Sequence, residues 1–506
     1  MSTRSKQFAV RRWLTLGAAS AGMGAALWGL SLTGPQVGVA SADTETSVSA
    51  PAGETAAPGK AARAARAERV EKARAERAEK AEARRQRVVK TRNADDADEP
   101  ALTPRQARQE RAAEAINEMT ASALKWIDDR PVSDARKERL EEALSTTRRT
   151  FFNQAPTVNP VQVTGVMDGP ISGTVGAEDP DGDRLRYRLV KGPTTGSVTV
   201  DKDGSYTYTP GEGFTGVDTF VVAVRDLGLH VNLLNWFRPA ATRAESIINH
   251  RAITFAFTWI GDEWTPDRKA AFQQAADYIA GFFVVRTPVV LSYELNAIND
   301  PDAIFTAETL TAFTDPPGYQ QSVIQKAVIT GVDDMKGATQ GIFDWNFALP
   351  WATGDVIADN EYDFQNTARH ELLHSFGFYT LTGKRDDNLG WLSVYDSFLT
   401  TADGTSLVGP DGRLIADAYD YIEGLNGGVY FGGPHAIAVY GKPIPLSTWD
   451  ESSVSHLNRF VFSGADYKLM NDKSPGPGWH DVRYLSPVEY AIMQDIGYTM
   501  RPQPLS

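Results

Sequence analysis

Asn366-Thr-Ala-Arg-His370-Glu371-Leu-Leu-His374-Ser-Phe-Gly377-Phe378 is the stretch from which the rest of this chain can be read. On a helix, residues four apart share a face, so His370 and His374 can present two imidazoles to one metal ion. Glu371 lies one step round, within reach of a water at that ion without being a ligand. Two neutral nitrogen ligands, an open position and a carboxylate base are what zinc-assisted hydrolysis requires. Gly377 suits a sharp helix exit, because glycine tolerates positive φ. Two helical histidines are also often plain core or polar residues. Two alone bind zinc weakly, so a third ligand must come from elsewhere.

Composition narrows the classes. The chain has 506 residues, enough for about three domains. It contains no cysteine, which excludes disulfides, thiolate zinc sites, cysteine nucleophiles and a cysteine-based latency switch. The net charge of −13 conceals an asymmetry. Between Lys60 and Arg92, 13 Lys or Arg stand against 5 Glu, a net of +8, which leaves −21 on the remainder. Acidic globular regions of that kind argue against nucleic acid as a partner.

Residues 1–42 read as a signal peptide for bacterial export. Arg4, Lys6, Arg11 and Arg12 precede an apolar run from Trp13 to Leu32, and Ala40-Ser-Ala42 offers a cleavage site. The Arg11-Arg12 pair leaves both the Sec and the twin-arginine (Tat) routes open. An uncleaved anchor is the alternative, since the run could just span a bilayer. Once it is removed, no other segment would cross a membrane, and the expected location is secreted or cell-surface. Residues 43–100 repeat Ala, Arg and Glu with almost no large apolar side chains, so they cannot bury a core. They read as a disordered linker, either a spacer or a basic tether to anionic cell-wall or membrane surfaces. Residues 101–152 turn helical, with Ile116, Met119, Ala123, Leu124 and Ile127 at three- and four-residue spacing. Pro131 ends that helix and Ser133 can cap a second. The pair could serve as a removable pro-segment or as a stalk.

From 153 to 228 the texture changes to short alternating strands broken by Gly, Asp and Pro, as in Leu185/Tyr187/Leu189 and Tyr206/Tyr208. This is the pattern of an all-β sandwich. The stretch resembles the bacterial cadherin-like and Ig-like modules of surface proteins. Asp179, Asp181 and Asp183 can be read as a Ca²⁺ site or as an ordinary Asx-stabilised turn. Residues 229–246, with Trp236 and Phe237, read as a linker. Residues 247–506 read as one α+β unit: a strand over Ala252–Trp259, a helix from Pro266 to Phe283, a strand over Val285–Leu291, and a strand over Gly341–Leu349 before the histidine helix.

The third ligand is not settled by spacing. The other histidines are His230, His250, His435, His456 and His480. Downstream of His456 stand Leu469-Met470-Asn471 and then Gln494-Asp-Ile-Gly497-Tyr498. With these elements the region from 250 to 500 resembles the leishmanolysin-like branch of the metzincin zinc metallopeptidases, in its bacterial secreted relatives. The compact metzincin spacing would place the third ligand at Thr380, a poor zinc ligand, whereas the leishmanolysin-like branch carries an insertion there. The resemblance implies that His370, His374 and His456 bind one catalytic Zn²⁺ and that Glu371 is the general base. It further implies that Gly377 is the turn glycine and that Met470 packs beneath the metal. Asp396, in Ser393-Val-Tyr-Asp-Ser, is the rival third ligand. Departures are Leu457-Asn458 after the third histidine, the missing cysteines and an insertion over 378–455.

The fold expected is therefore multidomain: a low-complexity and helical N-terminal region, an all-β sandwich, and an α+β metzincin-type zinc peptidase domain. The activity implied is endopeptidase hydrolysis of a protein or peptide substrate. By the same likeness, the strand near Gly341–Leu349 would hold that substrate as an added antiparallel strand. Two other readings stay open: an adhesion or wall-binding protein with an inactive peptidase-like domain, and a zinc amidase acting on cell-wall peptides.

Overall fold

The structure is a computed structural model that describes residues 13–17, 104–227, 241–301, 307–314, 318–383, 391–449, 452–473, 476–479 and 482–502. The low-complexity stretch, His230 and His480 lie outside these residues, as does the signal peptide apart from Trp13–Gly17. The chain divides into two compact units, one of Ala25–Leu144 and one of Met1–Gly24 with Ser145–Ser506. Helix α1 (Pro104–Asp128) lies in the first, and α2 (Asp134–Phe151) begins there and ends in the second, with Pro131 in the break between the helices. Ile116 and Ile127 are buried, but Met119 and Leu124 are exposed, so the apolar face is narrower than its spacing suggests. Among the described residues, no helix is long and apolar enough to cross a membrane.

Within the larger unit the first layer pair is all β. One sheet has the strand order Val161–Gln162, Ile171–Thr174, Ser205–Pro210, Gly196–Val200. The facing sheet runs Thr242–Asn249, Val217–Asp226, Leu185–Lys191. Period-two alternation puts Phe220, Val222 and Val224 inward against Ile171, Tyr206 and Tyr208, which closes a small sandwich core. Thr242–Asn249 pairs along its whole length with Val217–Val224 and contributes Ala244 and Ile248 to that core. The last part of the linker expected over 229–246 is thus a sandwich strand that runs on to Asn249, while residues 228–240, with Trp236 and Phe237, lie outside the described residues. Charged Arg243 and Glu245 alternating with small Ala244 and Ser246 made this edge strand look like connecting chain.

Asn249 joins the sandwich to the C-terminal region. Gln162 and the Asn249 backbone exchange two hydrogen bonds of 2.8 Å, and the Asn249 amide exchanges another two, of 2.8 and 2.9 Å, with the Val285 backbone. All four are buried, where an amide side chain that mimics a peptide group satisfies both partners.

The remaining chain builds a five-stranded sheet. Its strands are β1 (Trp13–Gly17), β2 (Ile253–Ile260), β3 (Val289–Ile298), β4 (Ala307–Ala312) and β5 (Gly341–Asn346). Their spatial order is β1-β4-β5-β3-β2, with β2/β3 and β3/β5 parallel and β4/β5 and β1/β4 antiparallel. This sheet corrects two expectations. The strand expected from Val285 begins at Val289, because Pro288 has no N–H for the ladder. The strand at 341–349 is not an edge: β5 is paired on both sides, with β3 and β4, and the edge strands of the sheet are β1 and β2. Helix α3 (Pro266–Ala280), capped by Thr265 with Pro266 in its first turn, packs with α4 (Phe364–Ser375) on the sheet. Phe272, Phe343, Trp345 and Phe364 fill that layer.

Candidate metal centre

Helix α4 carries the histidines and is buried along its whole length. Asp363 caps it by accepting from the Gln365 and Asn366 N–H groups at 2.9 and 3.1 Å. The exit depends on Gly377, whose φ of +96° is open to glycine and whose missing Cβ would meet the Gln325 side chain at 2.7 Å. That turn brings the Phe378 carbonyl back onto the helix, where His374 Nδ1 donates to it at 2.8 Å. His370 Nδ1 donates to the Leu469 carbonyl at 2.8 Å, and His456 Nδ1 to the Ser453 carbonyl at 3.3 Å.

These three bonds fix the tautomers. A carbonyl only accepts, so each Nδ1 carries the proton and each neutral ring turns a bare Nε2 lone pair inward. His374 Nε2 lies 3.0 Å from His370 Nε2 and 3.2 Å from His456 Nε2. Burial holds His370 down to about 4 and His456 down to about 3. His374 lies well below the usual range, through burial and then its two imidazole neighbours. Three converging lone pairs with no proton between them repel, and a single cation removes that repulsion. Among the described residues, these three are the only group of histidine or acidic side chains close enough to share an ion.

Glu371 is fully buried beside them. Its Oε2 accepts from Thr309 Oγ1 at 2.8 Å, while its buried Oε1 has no hydrogen-bond partner. Burial, aided by the negative charge of Glu308, pushes this carboxyl well above its usual range, although the Thr309 bond opposes the shift. The donor set and the inward lone pairs fit one divalent metal ion, which His370, His374 and His456 would hold, with the orphaned oxygen on Glu371, next to His370 in sequence.

The turn at Leu469-Met470 ties the centre together through its backbone. Leu469 supplies the carbonyl for His370, and the Met470 carbonyl accepts from the Leu457 N–H, next to His456, at 2.8 Å. The Met470 N–H donates to Glu489 Oε1 at 2.6 Å. Glu489 Oε2 closes the capping box at Ser486 that starts the last helix, Pro487–Asp495. The Met470 side chain is fully buried.

The other expected site residues lie elsewhere. Asp396 is buried but does not join the imidazoles: its oxygens are taken by Thr380 Oγ1 and by the Leu381 and Ser393 N–H groups. His435 caps the buried Asp495 carboxylate, and His250 meets the Gly165 carbonyl. Asp179 Oδ1 accepts from the Asp181 and Asp183 amides, an Asx-type turn, and the Asp181 carboxylate is occupied by Arg148 and the Gln154 N–H. Those three carboxylates do not converge closely enough to share a cation. Thr309 and Glu489 escaped the sequence reading. The alternation of Ala307-Glu-Thr-Leu-Thr-Ala312 and the Ser486-Pro-Val-Glu489 capping pattern were the available signals.

Residues 153–229 match the family of bacterial Ig domains. This stretch is a bacterial Ig-like domain. The structure adds the strand Thr242–Asn249 to it. Sphingomyelinases of Mycobacterium bovis and Mycobacterium tuberculosis are 42% identical to this chain over 125 residues, covering 22% of it and 25% of their own length. The chain thus spans about a quarter of the curated relatives it matches. The human Desmocollin-1 ectodomain aligns at 12% identity over 38% of this chain and 42% of its own, with a TM-score of 0.13, too slight to carry any argument.

Proposed function

We propose that this protein is an exported zinc-dependent endopeptidase, secreted or held at the cell surface, whose C-terminal region is a metzincin-type domain of the leishmanolysin-like kind. The observation that carries the reading is the convergence of the His370, His374 and His456 Nε2 atoms beside the unpartnered Glu371 Oε1. Zinc bound there supplies a Lewis acid that acidifies water, polarises a scissile carbonyl and draws Glu371 toward its ionised form.

The chain's own residues do the rest. His370, His374 and His456 hold the ion without neutralising its charge. Glu371 Oε1 takes the proton of the attacking water and returns it to the leaving amine, while Thr309 keeps Oε2 fixed. Strand β4 carries Thr309, and once the leader segment Trp13–Gly17 is removed its outer edge is open to an extended substrate. Trp13–Gly17 pairs there antiparallel in this structure, with Leu16 opposite Thr309. The leader pattern and the Ig-like domain favour export and display. The sphingomyelinase name of the relatives brings no activity to this chain, because the shared part is a quarter of them.

The test pairs zinc analysis with peptide hydrolysis, for wild type and Glu371→Gln. About one zinc per chain is expected in both, with hydrolysis reduced on the order of 10²–10⁴-fold in the variant. Wild-type protein that binds no zinc, or a variant that cleaves peptides at the wild-type rate, overturns the reading. Digestion of casein against peptidoglycan separates a peptidase from a wall amidase.

A further inference from the structure

Of the three imidazoles, His456 is the least secured by its own hydrogen bond. Its Nδ1 contact is 3.3 Å, against 2.8 Å for each of the other two. It also sits on irregular chain rather than on a helix. Its orientation therefore depends on what holds the loop. On the C-terminal side that is the Met470 carbonyl, through Leu457, while the Ser447 N–H donates to the His456 carbonyl itself at 2.9 Å. On the N-terminal side the Thr448 carbonyl accepts from the Ser452 N–H at 2.8 Å, and two further contacts both trace to one short 3₁₀ turn, Tyr395–Phe398. Tyr395 Oη donates to the Val454 carbonyl at 3.2 Å. Ser455 Oγ accepts from the Thr380 N–H at 2.9 Å.

Thr380 is in turn fastened by Asp396. The carboxylate takes Thr380 Oγ1 on Oδ1 at 2.5 Å, and the Leu381 and Ser393 N–H groups on Oδ2 at 2.8 Å each. The turn also holds its own base, since Ser393 Oγ receives the Asp396 N–H and donates to the Tyr379 carbonyl. An apolar residue at 396 would leave the buried Leu381 and Ser393 N–H groups unpaired and free the Thr380 hydroxyl to turn to Thr382 alone, so this carboxylate stabilises a defined path for 379–381.

We propose that Asp396 is a positioning residue for the third imidazole: it fastens the segment that leaves the Gly377 turn, and that segment with Tyr395 aims the loop carrying His456. This rests on the zinc-peptidase reading above and assigns the insertion after Gly377 a task in it. Supports of this outer kind set ligand orientation, and losing one typically weakens a metal site about 10–100-fold.

The test measures zinc affinity by competition with a chromophoric chelator, together with the visible spectrum of the Co²⁺-substituted protein. It uses the full chain at a temperature where each variant is folded by circular dichroism. Asp396→Ala and Ser455→Ala should each weaken zinc binding about 10–100-fold, shift the Co²⁺ bands and lower kcat with KM nearly unchanged. Asp396→Asn should lie between Ala and wild type, because its amide oxygen still accepts the Leu381 and Ser393 N–H groups. Should Asp396→Ala fail to fold, Ser455→Ala and Tyr395→Phe decide. Folded variants with wild-type zinc affinity and an unshifted Co²⁺ spectrum overturn the positioning role. His456→Ala separates the two ideas: unchanged zinc affinity there sinks the peptidase reading itself, whereas lost affinity there with intact Asp396 and Ser455 variants sinks only this inference.

Discussion

Thr309 Oγ1 shares its one hydroxyl proton between two acceptors of Glu371, Oε2 at 2.8 Å and the backbone carbonyl at 3.1 Å. Strand β4 and helix α4 are therefore joined at the one carboxylate that the metal centre leaves half-unpaired. Thr309→Val keeps the β-branched shape and removes only the hydroxyl. Both Glu371 oxygens are then buried without a fixed partner, at a cost of about 1–3 kcal/mol. The expected outcome is full zinc content with kcat lowered about 5–100-fold, read from zinc analysis beside initial rates. An unchanged kcat would show that Glu371 needs no support from the strand.

Glu489 makes a second testable join. Its two oxygens accept from the Met470 and Ser486 N–H groups, so one buried carboxylate caps the last helix and holds the Leu469-Met470 turn. Glutamine offers one acceptor and turns an NH₂ toward the other N–H. We expect Glu489→Gln to lower stability by about 1–3 kcal/mol in urea denaturation and to weaken zinc binding. Met470→Leu, which conserves volume, should cost less than about 1.5 kcal/mol. The reverse ranking would mean that the thioether, not the backbone, is what the turn contributes.

The local part of the centre was legible because helix geometry needs only spacing. His370 and His374 stand one turn apart with Glu371 beside the first, and Gly377 sits where the chain must leave with positive φ. His456 is 82 residues from His374, and no periodicity reports a contact at that separation. It came from likeness, with Asp396 as a rival. What no pattern could show is that Asp396 has three donors on it and lies outside the cluster of the three imidazoles. The strand at 341–346 reads as able to take an added strand because alternation marks a half-buried strand without naming its neighbours, and both its sides are in fact paired. The Ig-like alternation was readable up to Asp226, and its final strand was missed because Arg243 and Glu245 face outward.

Asn249 gives a prediction about that final strand. Its side chain satisfies both the N–H and the carbonyl of Val285, which lies just beyond helix α3, while its backbone is held by Gln162 of the Ig-like domain. Asn249→Ala leaves two buried backbone groups unpaired, and we expect a loss of about 2–4 kcal/mol in chemical denaturation. Asn249→Asp keeps an acceptor for the Val285 N–H but sets a carboxylate against its carbonyl, so it should not restore stability at neutral pH. A change below about 0.5 kcal/mol in Asn249→Ala would show that the bracket is not structural.

Asp396 also predicts how stability varies with pH. Burial raises its carboxyl to about 6, against the pull of its hydrogen bonds to Thr380, Ser393 and Leu381. The titratable side chains coupled to it are the Tyr379 and Tyr395 phenols, both raised by burial and by this carboxylate and so neutral across the range tested. A carboxyl raised in the folded state binds its proton more tightly there than in the unfolded chain. Between the ordinary aspartate value near 4 and about 6, the folded state thus holds more protons, and stability falls as pH rises. The full difference amounts to about 3 kcal/mol. Asp396→Asn removes this one contribution. Subtracting the variant's unfolding free energy from that of wild type at each pH should give a curve that declines from pH 4 to pH 6.5 and is flat above pH 7. A flat difference throughout would mean that the Asp396 carboxyl titrates near its ordinary value, as an exposed carboxylate would.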